Sequence, residues 1–376
     1  MWIVIVEVIA SLSYRAADQQ EQPTDTSPRT VILVPAHNEQ VLISRTLEAI
    51  LNDLPPNCFV LCVAHNCTDT TAEVARCYPV EVLEVKDDGG GGKPDALKAG
   101  LQWLDKQNKP EIVVIIDADC VPRAGALRVL AESAMRLDQP VMGAYLFSPP
   151  TDNQGGGALS SLALLFKNYV RPLGLQSMGL PCLLNGSGSA YPFHVIKSAP
   201  QGKGSIAEDY QLAIDLLRLG YPTTFVPEAI IDGHLPVREN TALRQRRRWE
   251  HGQLLLVFGV APRLLLEGIL GMDAKRICLA LEVLVPPLSF LCVTWCILTV
   301  LAAIMFILFD AGPLLILLIS MGFFCGSILV SLAKFGGAGK TIAAIRSIPS
   351  YVMWKLPMYR DYFTNRETRW MKTDRD

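Results

Sequence analysis

The 376-residue sequence has no excess of positive charge, since its formal net charge is −2 at pH 7. A protein that binds nucleic acid would carry a basic surface, so this charge balance argues against a nucleic-acid partner. The ten cysteines include no CxxC pair and no Cys/His spacing typical of a zinc site. We therefore expect reduced thiols in a cytosolic domain, with neither a disulfide framework nor bound zinc.

The sequence also lacks a phosphate-binding P-loop and a signal peptide. The stretch GGGGKP has no Ser or Thr after its lysine, and KFGGAGKT follows an apolar run instead of a strand. Residues 1–14 have no basic start and no small-residue cleavage site. They are apolar but shorter than the roughly 20 residues needed to cross a bilayer, so we expect the remnant of a span or an interfacial anchor.

Long apolar runs are what the sequence has in excess, with half of its residues hydrophobic and a mean hydropathy of +0.29. Residues 288–309 and 313–333 are each long enough to cross the ~30 Å hydrocarbon layer. Basic residues flank this pair and none lies between, so the positive-inside rule puts both flanks in the cytoplasm. We expect a multi-pass protein of the inner or plasma membrane with a cytoplasmic N-terminal domain. The flanking basic residues are Lys275, Arg276, Lys334, Lys340 and Arg346.

Two segments near these runs are predicted to lie at the membrane surface. Residues 277–287 contain a glutamate and two prolines, which favour an interfacial position over a span. Residues 340–354 are amphipathic, and aromatic residues stand among basic ones from there onward, a pattern that suits a membrane-surface helix. These aromatic residues are Trp354, Tyr359, Tyr362 and Trp370.

From Thr30 onward, strand-like and helix-like segments alternate. The runs TVILVPA, CFVLCVA, VEVLEV and EIVVIID predict an α/β domain with a mostly parallel, doubly wound sheet. We divide the chain into a membrane-proximal segment and linker (1–29), this domain (30–262), and interfacial and transmembrane helices with a cytoplasmic tail (263–376). Further predicted elements are helices over 40–51, 69–76, 96–106, 125–137 and 159–170, and strands over 141–147 and 223–235.

Two aspartates end the last of the four apolar runs. Alternation along a strand points Asp117 and Asp119 to the same side, at the edge where α/β folds bind ligands. Carboxylate oxygens are hard ligands, suited to Mg²⁺ or Mn²⁺ held together with substrate phosphates. The alternative is a pair of loop aspartates that caps the next helix.

Polar residues follow each of the four runs. Because parallel strands end at one edge of a sheet, we expect these polar ends to converge, as they do in a nucleotide site. The run DDGGGGKPD after the third strand is predicted to be a flexible loop that carries Lys93. The polar ends are His37-Asn38-Glu39, His65-Asn66, Lys93 to Asp95, and Asp117 with Asp119.

Three later segments have both a structural and a functional interpretation. The glycines of Asn185-Gly186-Ser187-Gly188 form either a tight turn or a close approach of backbone to ligand. Glu208 and Asp209, three and four residues after Ser205, are either helix-start carboxylates of a capping box or a general base facing the cleft. The arginines around Gln245 and Trp249 form either a solvated or membrane-surface basic face, or a diphosphate site. These arginines are Arg238, Arg244, Arg246, Arg247 and Arg248.

With these residues in view, the chain resembles the family 2 inverting glycosyltransferases. It is most similar to the membrane-associated branch that contains cellulose, hyaluronan and poly-N-acetylglucosamine synthases and ceramide glucosyltransferase. PAHNE, the Lys93 loop, DAD, AED and QRRRW occur in the family's order between about residues 30 and 255. The resemblance implies a Rossmann-like nucleotide-sugar-binding domain of the GT-A type.

The resemblance also implies roles for individual residues. Pro35, Ala36 and Glu39 would line the nucleotide pocket, Asp117 would contact the ribose or sugar, and Asp119 would bind the divalent metal, Mg or Mn. Asp209 would be the catalytic base. The rest of the implied site is Lys93 on the donor side, and Glu208, Gln245, Arg248 and Trp249 at the diphosphate and acceptor end.

The chain departs from the family pattern at two positions. The second strand of the family usually ends in an acidic residue that contacts the base, and here His65 stands there, with Asn66 or Asp69 as substitutes. The third loop usually carries lysine-glycine, and here it is Lys93-Pro94.

Three functions fit this pattern. The first is a transferase that moves a sugar from a nucleotide-diphosphate sugar to a lipid-linked or saccharide acceptor at the membrane, in cell-surface polysaccharide or glycolipid synthesis. The second is a processive polysaccharide synthase, for which two spans are few unless a partner subunit or a homo-oligomer supplies the rest. The third is a catalytically silent scaffold that retains the fold.

Overall fold

The computed structural model describes the α/β domain, the helices that follow it and an N-terminal helix. The described residues are 1–15, 27–87, 92–107, 109–148, 157–200, 207–235, 239–308, 312–336 and 348–364. The strands are β1 Thr30–Ala36, β2 Cys58–His65, β3 Glu81–Val85, β4 Ile112–Ile115, β5 Val121–Pro122, β6 Val141–Ser148, β7 Ser189–Pro192 and β8 Thr224–His234.

The helices surround this sheet and continue beyond it. They are α1 Trp2–Ser13, α2 Ile43–Asn52, α3 Thr71–Arg76, α4 Lys93–Lys106, α5 Ala126–Leu137, α6 Gly157–Leu165, α7 Arg171–Ser177, α8 Phe193–Ser198, α9 Glu208–Arg218, α10 Glu239–Leu255, α11 Ala261–Leu270, α12 Ala274–Leu284, α13 Leu288–Leu308, α14 Gly312–Phe335 and α15 Ile348–Thr364. Two π-helical turns, Phe166–Val170 and Leu256–Val260, join α6 to α7 and α10 to α11.

One sheet runs through the described part of the domain, in the order β3-β2-β1-β4-β7-β6-β8-β5. Strands β1 to β4 are parallel, as predicted, and every residue of β1 and β4 is buried, as expected for strands covered on both faces. Strand β7 runs antiparallel to β4 and β6, and the short β5 runs antiparallel to β8. The prediction of an α/β fold with a mostly parallel sheet is therefore confirmed, with β7 as an antiparallel strand inside it.

The residue pairs between neighbouring strands bring the predicted polar ends together. Ala36 at the end of β1 pairs with Ala64 of β2, and Leu33 of β1 pairs with Ile115 of β4. The residues that follow β1, β2 and β4 therefore meet at one edge of the sheet.

The prediction that Lys93 lies in the loop after the third strand was wrong, while residues 88–91 of that loop lie outside the described residues. Lys93 is the first residue of α4, which starts three residues earlier than predicted, directly after Gly92. The physical reason is Pro94, because proline fits the first turn of a helix, where its missing N–H has no partner to lose.

Two predicted membrane spans coincide with helices α13 and α14. Three helices of the described ranges are long and apolar enough to cross a membrane, namely Thr241–Leu270, Leu288–Ile307 and Gly312–Phe335. The sequence did not predict the first of these, which joins α10 to α11 across residue 262, where we had divided the chain. Pro262 does not end the helix because it follows a π-helical turn, where the bonding of the backbone shifts.

Helix α1 packs against the domain and against α14. Its Glu7 is buried and pairs with Arg171 at 2.6 Å, and Arg171 also pairs with Glu282 of α12 at 2.5 Å. Gly174 of α7 allows this close contact, since a Cβ there would lie 2.0 Å from the carbonyl oxygen of Glu7.

The prediction of a membrane-surface helix near the C-terminus needs a correction. Of the aromatic residues on which it depended, Tyr359 and Tyr362 are buried against protein, with 5% and 2% of their surface exposed. They pack on α10 and α13, because α15 lies over these helices. Residues 340–347 and Trp370 lie outside the described residues, as do Arg238 and Ser205 of the predicted capping box.

Candidate active site

A cleft of about 260 Å³ opens at the edge where β1, β2 and β4 end. It collects all but two of the predicted site residues, from elements that are far apart in the sequence. Those that line it are Pro35, Ala36, Glu39, Lys93, Asp117, Asp119, Glu208, Asp209, Gln245, Arg248 and Trp249.

The two predicted residues that do not line the cleft are Asn66 and Asp69. Asn66 exchanges hydrogen bonds with Asp87, its Nδ2 donating to Oδ1 at 3.0 Å and its Oδ1 accepting from the backbone N–H at 3.0 Å. Asp69 accepts from the backbone N–H of Thr71 at 3.0 Å and so caps the start of α3. Both side chains support the loop after β2.

His65 is buried at the end of β2 and lines the cleft. Its Nε2 lies 3.0 Å from Oδ2 of Asp87, and because a carboxylate only accepts, Nε2 carries the proton. Sequence reasoning did not identify Asp87, which follows β3. Its position beside a histidine of the neighbouring strand depends on how β2 and β3 pair, and no local pattern signals that.

Lys93 lies at the centre of the cleft and joins two acidic groups. Its Nζ is 2.8 Å from Oδ1 of Asp117 and 3.6 Å from Oδ1 of Asp209, and it also donates to the carbonyl of Gly186 at 3.1 Å. The charges of Asp117 and Asp209 raise the pKa of Lys93 against the effect of burial, so the ammonium stays charged. One cation from α4 therefore links the end of β4 to the start of α9.

The Asn185–Gly188 segment forms both a turn and a close approach. Gly186 and Gly188 have φ angles of +97° and +84°, in the left-handed region that favours glycine. A Cβ at Gly188 would lie 2.3 Å from Cγ1 of Ile231. The hydroxyl of Ser187, between the glycines, accepts from the backbone N–H of Asp117 at 3.0 Å and fixes the start of the DAD motif.

Glu208 and Asp209 begin α9 and face the cleft. Burial and the neighbouring Asp209 raise the pKa of Glu208 to about 8, so this carboxyl keeps its proton at neutral pH. Burial also raises the pKa of Asp209, whereas the ammonium of Lys93 lowers it. The pKa of both carboxyl groups is therefore raised, as suits groups that exchange a proton near neutral pH.

The chemistry of the donors at the DAD motif fits a hard divalent cation. Ligand atoms of Asp117, Asp119 and Cys120 lie within 4.8 Å of one another. The thiol of Cys120 is a soft donor, which suits a hard cation poorly, and burial raises its pKa well above the usual value. The carboxylate oxygens remain, and these are what Mg²⁺ and Mn²⁺ prefer.

The arginines of the QRRRW stretch have different surroundings. Arg248 lines the cleft beside Trp249, whose ring lies 6.0 Å from that of Phe147. Arg246 is buried and donates to the hydroxyl of Tyr351 at 2.7 Å, while Arg247 lies 3.6 Å from Asp361. Of these three described arginines, Arg248 therefore lines the cleft, whereas Arg246 and Arg247 contact α15.

Two further residues that line the cleft, Lys167 and Asn168, were not predicted. Lys167 and Asn168 lie in the π-helical turn after α6, and Asn168 donates to the carbonyl of Tyr145 at 3.0 Å. The ammonium of Lys167 lies 5.1 Å from the ring centre of Tyr210, next to Asp209. Such turns often occur at functional sites, but a one-residue bulge leaves the hydrophobic period of the sequence almost unchanged.

Residues 28–252 match the sequence family described as "Glycosyltransferase like family 2". The chain is 25% identical over 242 residues to the probable glycosyltransferase YdaM of Bacillus subtilis (strain 168), which covers 61% of this chain and 56% of that protein. The chain thus spans about half the length of this curated relative.

Among solved structures, the mannosyltransferase PcManGT from Pyrobaculum calidifontis, in complex with GDP-Man and Mn²⁺, has a similar fold. The TM-score is 0.54 at 20% identity, over 94% of this chain and 98% of that chain. The fold is therefore GT-A-like. Because the family match covers more than half of its residues, the chain belongs to glycosyltransferase-like family 2.

Proposed function

We propose that the protein is an inverting glycosyltransferase of the membrane-associated branch of family 2. It moves a sugar from a nucleotide-diphosphate sugar to a hydroxyl of a membrane- or lipid-linked acceptor. The observation that carries the proposal is the contact of Lys93 with both Asp117 and Asp209, at 2.8 and 3.6 Å. It gathers a sugar-binding carboxylate and a base around one cleft.

In the proposed reaction, Asp209 accepts the proton of the acceptor hydroxyl. The hydroxyl oxygen forms a bond to the anomeric carbon as the bond from that carbon to the diphosphate breaks, which inverts the configuration. The ammonium of Lys93 lowers the pKa of Asp209 and orients its carboxyl group. Arg248 stabilises the departing diphosphate, and Trp249 offers an aromatic face to a sugar.

A divalent metal fits this cleft, and Asp119 would hold it with Asp117 beside it. When bound, the metal supplies positive charge to the diphosphate. The Mn²⁺ complex of PcManGT supports this assignment but does not distinguish Mn from Mg.

The acceptor is proposed to approach from the membrane side. Helices α13 and α14 follow the domain after α11 and α12, and the basic residues that flank them favour a cytoplasmic cleft. A glycolipid or a lipid-linked polysaccharide precursor would meet the enzyme at this surface.

The test is transfer from a panel of radiolabelled sugar nucleotides by membranes that contain the protein, with Mn²⁺ added. We expect one donor to label a lipid-extractable or polymeric product, whose size separates single addition from processive synthesis. The matching nucleoside diphosphate should also raise the melting temperature of the purified protein. A protein that transfers no sugar and gains no stability from any nucleotide would be a silent scaffold, and the proposal would be wrong.

A further inference from the structure

A buried polar cluster joins α10, α13 and α15 outside the cleft. It consists of Glu250, Ser289, Lys355 and Tyr359, and each of these residues exposes less than a tenth of its surface. The ammonium of Lys355 contacts Glu250 directly and lies 3.2 Å from the hydroxyl of Ser289. The hydroxyl of Tyr359 donates to Oε2 of Glu250 at 2.8 Å and lies 2.5 Å from that of Ser289.

Other contacts between α10 and α15 extend this cluster in both directions. Arg246, one turn before Glu250, donates to the hydroxyl of Tyr351 at 2.7 Å. Nε2 of His251 lies 2.9 Å from the carbonyl oxygen of Met358. The contacts therefore run along α10 and repeat at helical spacing.

The same helix presents its other face to the cleft. Gln245, Arg248, Trp249 and Gln253 line the cleft, whereas Arg246, Glu250 and Leu254 face α15 and α13. The first two-thirds of α10, ENTALRQRRRWE, contain few apolar side chains that could orient it by hydrophobic packing. In this part of the helix, polar contacts therefore contribute to its rotation about its own axis, together with the packing of Leu254 on α15.

We propose that α15 is a clamp that fixes the orientation of α10, with Glu250 and Lys355 as positioning residues for Arg248 and Trp249. The inference rests on the proposed function, because it concerns the diphosphate and acceptor end of that cleft. Ser289 lies at the start of α13, so the cluster also connects α15 to the first of the two predicted membrane spans.

The ion pair between Glu250 and Lys355 affects the orientation of α10 more than the stability of the fold. A buried ion pair is weak evidence for stability, since its desolvation offsets its attraction, but it is satisfied in only one geometry. Without the charge of Lys355, the buried carboxylate of Glu250 keeps the hydroxyl of Tyr359 but loses its cation, and α10 rotates to bring that carboxylate toward water. A small rotation would move Arg248 away from a bound diphosphate, and displacements of about 1 Å can cost about 100-fold in rate.

The test measures the affinity of the purified full-length protein for nucleoside diphosphates and monophosphates. UDP, UMP, GDP and GMP are titrated calorimetrically in the presence of Mn²⁺ into wild type and the variants Lys355→Met, Lys355→Arg and Tyr359→Phe. We expect Lys355→Met to weaken the binding of the preferred diphosphate by about tenfold, the size of a lost charged hydrogen bond, and that of its monophosphate by less than about twofold. Lys355→Arg keeps the positive charge, so its ratio of diphosphate affinity to monophosphate affinity should equal that of wild type.

The matched control is Glu7→Gln, which breaks a buried ion pair with Arg171 that involves neither α10 nor α15. It should lower the melting temperature and leave the ratio unchanged. Unchanged ratios in Lys355→Met and Tyr359→Phe would overturn the inference, as would an equal change in Glu7→Gln. If Lys355→Met does not fold, the milder Tyr359→Phe decides. A wild-type protein that binds none of the four nucleotides would instead remove the proposed function, and the inference with it.

Discussion

The ammonium of Lys93 lies 3.6 Å from the carboxylate of Asp209, so that a charge on the first turn of α4 contacts a charge on the first turn of α9. The two residues are far apart in sequence and meet only because α4 and α9 both begin at the cleft edge of the sheet. Lys93 thereby helps to determine when Asp209 can accept a proton.

Replacing Lys93 with methionine should move the acidic limb of the pH–rate profile to higher pH. The ammonium lowers the pKa of Asp209, so its loss lets that pKa rise, and the base is ionised only at higher pH. The measurement is kcat/KM against pH with the donor found active, because this ratio reports the groups of the free enzyme. Lys197→Met, which removes a surface ion pair with Asp105, serves as control. If the acidic limb of the Lys93→Met profile lies at the same pH as that of wild type, another group is the base.

Asp209→Asn should abolish transfer and retain nucleotide binding. The amide keeps the shape of the side chain but cannot take the proton, and general-base catalysis contributes about 10²- to 10⁴-fold. Initial rates and nucleotide-dependent melting temperatures measure the two effects separately. Asp215→Asn, later on the same helix and paired with Arg218, should leave the rate near that of wild type. Loss of nucleotide binding in Asp209→Asn would contradict its assignment as the base.

Asp119→Asn should weaken Mn²⁺ binding at least about tenfold, since even partners outside the ligand shell can contribute that much. Free Mn²⁺ measured by electron paramagnetic resonance gives the affinity without an activity assay. Cys120→Ser should bind Mn²⁺ like wild type, because a thiol is a soft donor that suits a hard cation poorly, and the serine hydroxyl can still donate to Asp119. Equal loss in the two variants would show that the carboxylate is not specific for the metal.

Gly188→Ala should destabilise the protein by about 2–5 kcal/mol, through left-handed strain of about 1–2 and overpacking of about 1–3. The overpacking arises because the new Cβ would lie 2.3 Å from Ile231, which is fully buried. Gly179→Ala is a matched control, since Gly179 has φ +68° and open space around it. It should show the strain alone, so denaturant midpoints of the two variants separate the terms. Equal midpoints would contradict the close approach at Ile231.

The sequence predicted the first four strands and most of the cleft, for a physical reason. A strand buried on both faces needs an unbroken apolar run, and the polar residues that follow such runs can only gather at the strand ends. Asp117 and Asp119 were found in this way. Strand β7 lacks such a run, and its antiparallel direction depends on β4 and β6, which are distant in sequence.

Other features were missed because they depend on tertiary contacts. Proline after Lys93 can signal a loop or a first helical turn, and the local sequence does not distinguish them. The continuous helix from α10 to α11 combines a polar half with an apolar half, so its composition suggests a boundary where the backbone has none. The aromatic residues of α15 look like membrane anchors until α10 and α13 are seen to cover them.

The π-helical turn at Phe166–Val170 sets the rotation of α7 relative to α6 about the helix axis. An α-helix turns by about 100° per residue, so deleting a single residue from this turn would rotate everything after it by that angle. Arg171 would then point away from Glu7 and Glu282, and α1 would lose its ionic contact with the domain. The packing of α1 against the domain therefore depends on one extra residue in a turn that also carries Lys167.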